Sequence, residues 1–197
     1  SDQQSTDVNE PEKFFWNSSD IEGLSQCDGD FKFSHPIVNP EDLSGITFGL
    51  GSHIAPHDHM AYWGTTDIDP EPVAGEKSRV TTREQLFAPT DIFFIQIGIS
   101  SGTDEEGLNM TEGGGSLHAC NGHVLVLGHI AEPSDEMKKV LDSIGPDCED
   151  SNCTWNGPAF IKAGTPIFKS SGYASGFDFG LSLVGLTDEE LRQQPSY

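Results

Sequence analysis

Apolar residues recur along this chain in two rhythms, and each rhythm predicts a different element. A period of two marks strands, because successive side chains on a strand point to opposite faces. Phe177-Asp178-Phe179-Gly180-Leu181-Ser182-Leu183 alternates strictly: Phe177, Phe179, Leu181 and Leu183 share one face, Asp178 and Ser182 the other. Ile46–Leu50 and the stretch His57–Trp63 alternate in the same way. Asp91–Ser100 (DIFFIQIGIS) and His123–Ile130 (HVLVLGHI) are rich in Ile, Phe, Val and Leu and read as buried strands. Within Ala159–Lys169, the run Ala163-Gly164-Thr165-Pro166 is a turn signal between two more.

The second rhythm, with a helical period, occurs twice. Ser134 caps a helix with acidic residues Asp135 and Glu136 in its first turn, an apolar stripe of Met137, Val140, Leu141 and Ile144, and a stop at Gly145-Pro146. Near the end, Thr187 and Glu190 form a capping box, Leu186 and Leu191 a hydrophobic staple, and Pro195 closes the helix. Residues 67–75 (Asp/Pro-rich) and 102–115 (Gly/Glu-rich) read as long surface loops. The predicted fold is mostly β: an antiparallel β-sandwich or open barrel-like core with two short helices and an extended N-terminal arm. The corresponding division is an acidic arm over 1–45, a β-domain over 46–185, and a short C-terminal helix and tail over 186–197.

Charge sharpens the picture of the arm. The chain carries 32 Asp+Glu against 10 Lys+Arg, a formal charge of −22. Nucleic-acid phosphates and anionic lipid would repel it, so neither is an expected partner. The longest apolar run, Ile92–Ile95, is too short to span a bilayer. Residues 1–30 alone hold eight acids (Asp2, Asp7, Glu10, Glu12, Asp20, Glu22, Asp28, Asp30) and one base, Lys13. Such a segment cannot bury a core of its own and orders only against its own domain or a neighbouring chain. Its apolar cluster, Phe14-Phe15-Trp16, is the natural anchor for that contact.

The four cysteines, Cys27, Cys120, Cys148 and Cys153, are even in number and lack zinc-binding spacing. Two disulfides are therefore expected, with three connectivities open and Cys148 and Cys153 expected to reach different partners. Three sequons, at Asn17, Asn109 and Asn152, lie in polar stretches suited to N-linked glycans. Ser1-Asp2 reads as a mature N-terminus left by signal-peptide cleavage. An extracellular location is the expectation.

The histidines are the main source of candidate chemistry. His57 and His59, two apart on a strand, point to one face with a spacing that can chelate zinc, and Asp178 offers an oxygen ligand on the polar side of its strand. Four segments follow in order: GSHIAPHDHMAYW (51–63), QLFAPTDIFFIQIG (85–98), VLVLGHI (124–130) and IKAGTPIFKSSGYASGFDFGL (161–181). Together they resemble the duplicated hybrid motif β-domain of lysostaphin-type zinc metallopeptidases over residues 51–184.

Carried across residue by residue, the resemblance implies a broken catalytic pattern. His59 falls at the first ligand histidine, Trp63 at the family's aspartate ligand, Asp178 at the third ligand and Gly176 at a catalytic histidine. His129 matches the family's mid-chain catalytic histidine, and His57 stands near enough to replace the lost ligand. A hydrolytic zinc site needs three protein ligands, an open water position and an acid–base group. The resemblance therefore implies a non-catalytic relative. No cofactor is expected, and zinc is the one metal whose ligands the sequence offers.

Two functions compete on this basis. The favoured one is a secreted, disulfide-braced, N-glycosylated interaction module that assembles with copies of itself, as an oligomer or filament, through its arm. The alternative is an extracellular zinc-dependent hydrolase acting on peptide or cell-wall cross-links.

Overall fold

Ten strands and one α-helix account for most of the described backbone. The computed structural model describes residues 31–47, 59–64, 84–103, 109–171 and 176–183. The strands are β1 (Leu43–Thr47), β2 (His59–Gly64), β3 (Gln85–Phe87), β4 (Ile92–Thr103), β5 (Asn109–His118), β6 (His123–Pro133), β7 (Asp147–Glu149), β8 (Asn152–Ile161), β9 (Pro166–Ser170) and β10 (Gly176–Leu183). The helix α1 spans Asp135–Ile144. Every described pairing is antiparallel, in the order β1-β2-β10-β6-β5-β4-β8-β7, with β9 bridging β6 to β3. The sheet is open, and the mostly-β antiparallel class read from the sequence is the class observed. Among the described residues, no helix is long and apolar enough to cross a membrane.

Alternation sorts the sheet into two faces. Tyr62, Phe177, Phe179, Leu125, Leu127, Leu117, Ile95 and Ile97 are buried on one side, where they meet Leu86, Ile92, Ile161, Ile167 and Phe168. Removing each of these side chains from water contributes about 1.5–3 kcal/mol before the entropy of ordering is charged against it. Helix α1 seals part of this core. Ser134 accepts a hydrogen bond from Met137 N at 3.0 Å, Met137 and Leu141 are buried, and Gly145 ends the helix at φ 81°. The cap, stripe and stop are those the sequence predicts.

Three readings change. The Gly/Glu-rich stretch 102–115 is not a single long loop, because Gly102 and Thr103 finish β4 and Asn109–Gly115 belong to β5. Its glycines are required by close packing: Gly115 has φ +152° and a Cβ there would fall 2.0 Å from Gln96 O. Cys148 and Cys153 do not reach different partners but bond to each other. The turn at Asp150 and Ser151 folds β7 back on β8 and sets the two cysteines directly opposite, with Cα atoms 4.1 Å apart. Strand β1 begins at Leu43 rather than Ile46, so the expected arm boundary at 45/46 falls inside a strand. Upstream of it, Ile37 and Val38 are already part of the core. The C-terminal helix expected from Thr187 onward, the Phe14–Trp16 cluster and the rest of residues 1–30 lie outside the described residues.

Candidate functional site

On the polar face, three glycines stand in register across β4, β5 and β6. The ladder runs Thr154–Gly98–Gly114–Gly128–Asp178–Ala61 from β8 to β2. The next row is Asn156–Gln96–Ser116–Val126–Gly180. The floor beside Asp178 is therefore bare backbone. Glycine matters most at Gly128, where a Cβ would lie 3.2 Å from both Cβ and Oδ2 of Asp178.

A β-bulge delivers the histidine to this place. Gly114 pairs with Gly128, but Gly113 pairs with Ile130, so His129 is the extra residue on β6. It adopts φ 55°, a left-handed conformation that costs a non-glycine residue on the order of 1 kcal/mol. The neighbour on one edge of β6 also changes here. It is β10 as far as Gly128 and β9 from Ile130, and Ser171 N donates to His129 O at 2.7 Å across the changeover.

The imidazole lies between two carboxylates. Its Nδ1 hydrogen-bonds Glu112 Oε1 on β5, and its Nε2 is 3.5 Å from Asp178 Oδ2 on β10. The Glu112 hydrogen bond raises the His129 pKa, burial opposes it, and the Glu112 and Asp178 charges add to the rise. The pair of carboxylates thus favours an imidazolium. His118, buried on β5 with its Nε2 3.1 Å from Ser116 Oγ and its ring edge-on to Phe94, is pushed the other way by burial.

The predicted ligands fall unevenly around this centre. Asp178 and His129 come together. His59 is placed by backbone register alone, opposite Gly180 and two positions from the Ala61–Asp178 pair. His57 lies outside the described residues. Trp63 and Gly176, the positions at which the resemblance would require an aspartate and a histidine, face each other directly across β2 and β10. A Cβ on Gly176 would meet Tyr62 O at 2.0 Å, so no larger residue enters there without a backbone shift. Among the described residues, no group of three or more His, Cys, Asp and Glu could hold a metal ion. His129 and Asp178 bring two donors together where a hydrolytic zinc needs three protein ligands, so the described side chains do not by themselves compose a zinc site.

Glu112 is the residue that sequence reasoning passed over. Its signal was a lone carboxylate before three glycines, Glu112-Gly113-Gly114-Gly115, where a strand must pass two neighbours closely.

No protein-family model, curated protein or solved structure matches this chain.

Of the modification sites, Asn152 is exposed at the start of β8, Asn109 opens β5, and Asn17 lies outside the described residues. Cys120, in the 3₁₀ turn Cys120–Gly122 between β5 and β6, is also disulfide-bonded. Cys27 is outside the described residues.

Proposed function

We propose that this chain is a non-catalytic, extracellular interaction module built on a lysostaphin-peptidase-like β-domain, and that it assembles with copies of itself through its N-terminal arm. The observation that carries the first half is the Trp63–Gly176 pair. Two positions that would need an aspartate ligand and a catalytic histidine meet across one ladder, and neither has a side chain able to serve. The Glu112–His129–Asp178 arrangement agrees with this reading. A histidine with Glu112 on Nδ1 and Asp178 near Nε2 is placed to pair with carboxylates when it is protonated, which suits a structural role. The Cys148–Cys153 bridge suits an oxidising compartment, and exposed Asn152 is a reachable acceptor for an N-linked glycan. The second half rests on sequence: a highly acidic arm with one aromatic cluster, Phe14-Phe15-Trp16, gains order by docking on a neighbour.

The test uses the full chain. Light scattering across a concentration series should show assemblies that dissociate when Phe14, Phe15 and Trp16 are all changed to Ser. Unchanged assembly in that variant overturns the arm-mediated reading.

One observation favours the competing zinc hydrolase: His129 keeps a strained backbone conformation beside Asp178, as residues at active sites often do. That reading requires stoichiometric zinc in the purified protein, its loss on His59→Ala, and cleavage of peptide cross-links. Absence of cleavage after zinc loading removes it.

A further inference from the structure

We propose that the partner of Cys120 is Cys27, and that this bond pins the N-terminal arm to the β5–β6 end of the sheet. The chain has four cysteines, and Cys148 and Cys153 take each other. Cys120 is disulfide-bonded, and Cys27 is the one cysteine left for it.

Chain geometry points independently to the same pair. The ring of Phe31 stacks on the His123 imidazole, with centroids 3.8 Å apart and planes 5° from parallel. His123 Nδ1 is in turn 3.1 Å from Cys120 O, and the His123 amide closes the same 3₁₀ turn on that carbonyl. Residue 31 is thus already held beside the turn that contains Cys120. Cys27 is four positions upstream of Phe31, a reach of at most about 14 Å. Cys120 itself is buried at 8% exposure, so a bond made there is shielded from attack by solvent thiols.

Formation of the bond balances as a dithiol oxidation. One cysteine thiolate attacks the disulfide of an oxidoreductase and expels a thiolate of that enzyme. The second cysteine then attacks the mixed disulfide and expels the other. The protein loses two protons and two electrons, and the oxidant leaves as a dithiol.

The position of the bridge has a consequence for assembly. Glu112 is eight positions before Cys120, roughly 26 Å along an extended strand. Cys120 therefore lies at the end of β5 remote from the Glu112–His129–Asp178 centre. Any part the bridge plays in assembly rests on the proposed arm-mediated reading, whereas the bridge itself does not.

The experiment is peptide mapping of the full chain. Free thiols are blocked with N-ethylmaleimide, the protein is digested with pepsin at acid pH to prevent exchange, and fragments are weighed before and after reduction. A fragment pair containing Cys27 and Cys120 that separates on reduction is the expected result. Blocked Cys27 or Cys120, or a Cys120–Cys120 link between copies, overturns the proposal. As a second reading, Cys27→Ser should leave one thiol that reacts at Cys120 under denaturing conditions; no new reactive thiol contradicts the pairing. Light scattering on the same wild-type sample reports assembly separately, so a mapped bridge in a monomeric protein would refute the arm's function and leave the bridge intact.

Discussion

Asp178 lies directly opposite Gly128 in the β10–β6 ladder, and the missing side chain at Gly128 leaves the space in which the Asp178 carboxylate reaches towards His129. The centre is therefore made by an absence as much as by its three side chains. A methyl group at Gly128 would stand 3.2 Å from the carboxylate and press it away. Gly128→Ala is expected to lower the His129 pKa by weakening the Asp178 contribution. Titrating the imidazole resonances by NMR checks this, and an unchanged His129 midpoint would show that Asp178 does not act on it.

Glu112 supplies the largest of the effects that raise the His129 pKa, so its removal should change how stability depends on pH. A histidine whose pKa is raised by folding stabilises the native state fully below its unfolded value of about 6.5, and that contribution fades as pH rises through the folded value. Wild type should thus exceed Glu112→Gln by about 1 kcal/mol near pH 6. The gap should narrow at pH values above the folded His129 midpoint. Urea melts of both proteins at several pH values measure it. A gap that widens with rising pH would reverse the assignment.

Gly115 tests the claim that the glycine run in β5 is structural. It combines φ +152° with a backbone oxygen 2.0 Å from any added Cβ. Gly115→Ala should destabilise the fold by about 3 kcal/mol or more, since neither a rotamer change nor a flexible neighbour relieves a backbone clash. Gly45 is the matched control: a methyl group added there would meet none of the described residues within 4 Å, so Gly45→Ala should lose far less. Comparable urea midpoints for the two variants would defeat the argument.

The Cys148–Cys153 bridge closes a short loop at the β7 edge. The chain-entropy relation gives such a loop about 2 kcal/mol. Replacing both cysteines with Ser should cost no more than that, and the first amides to gain exchange should be those of β7 and the start of β8. Hydrogen exchange followed by mass spectrometry reads the location. Loss of protection throughout β4 and β5 would show that the bridge braces the whole sheet.

Legibility in the sequence followed the strength of the local pattern. Strand β10, strand β6 and helix α1 announce themselves because strict alternation or a capped stripe admits no other fold for those residues. Strand β5 was hidden, since Thr111-Glu112-Gly113-Gly114-Gly115 has the composition of a loop. Its glycines answer to neighbours on β4 and β6, which are distant in sequence or invisible to a local window. Strand β7 was hidden for a different reason: three exposed residues carry no alternation, and only the facing cysteines mark the hairpin. The site was half legible. His129 and Asp178 stood out as residue types, whereas Glu112 joined them through a one-residue bulge that no spacing rule anticipates.

That bulge also makes His129 a joint. Up to Gly128, β6 is flanked by β10, and from Ile130 by β9, which ties it to β3 and to the cap of α1 through the Ser134–Ile167 bond. The backbone that carries the imidazole is thus held from two sides at once, by β10 up to Gly128 and by the β3–β9 pair through the Ser171–His129 hydrogen bond, so a substitution that shifts β9 also shifts the ring.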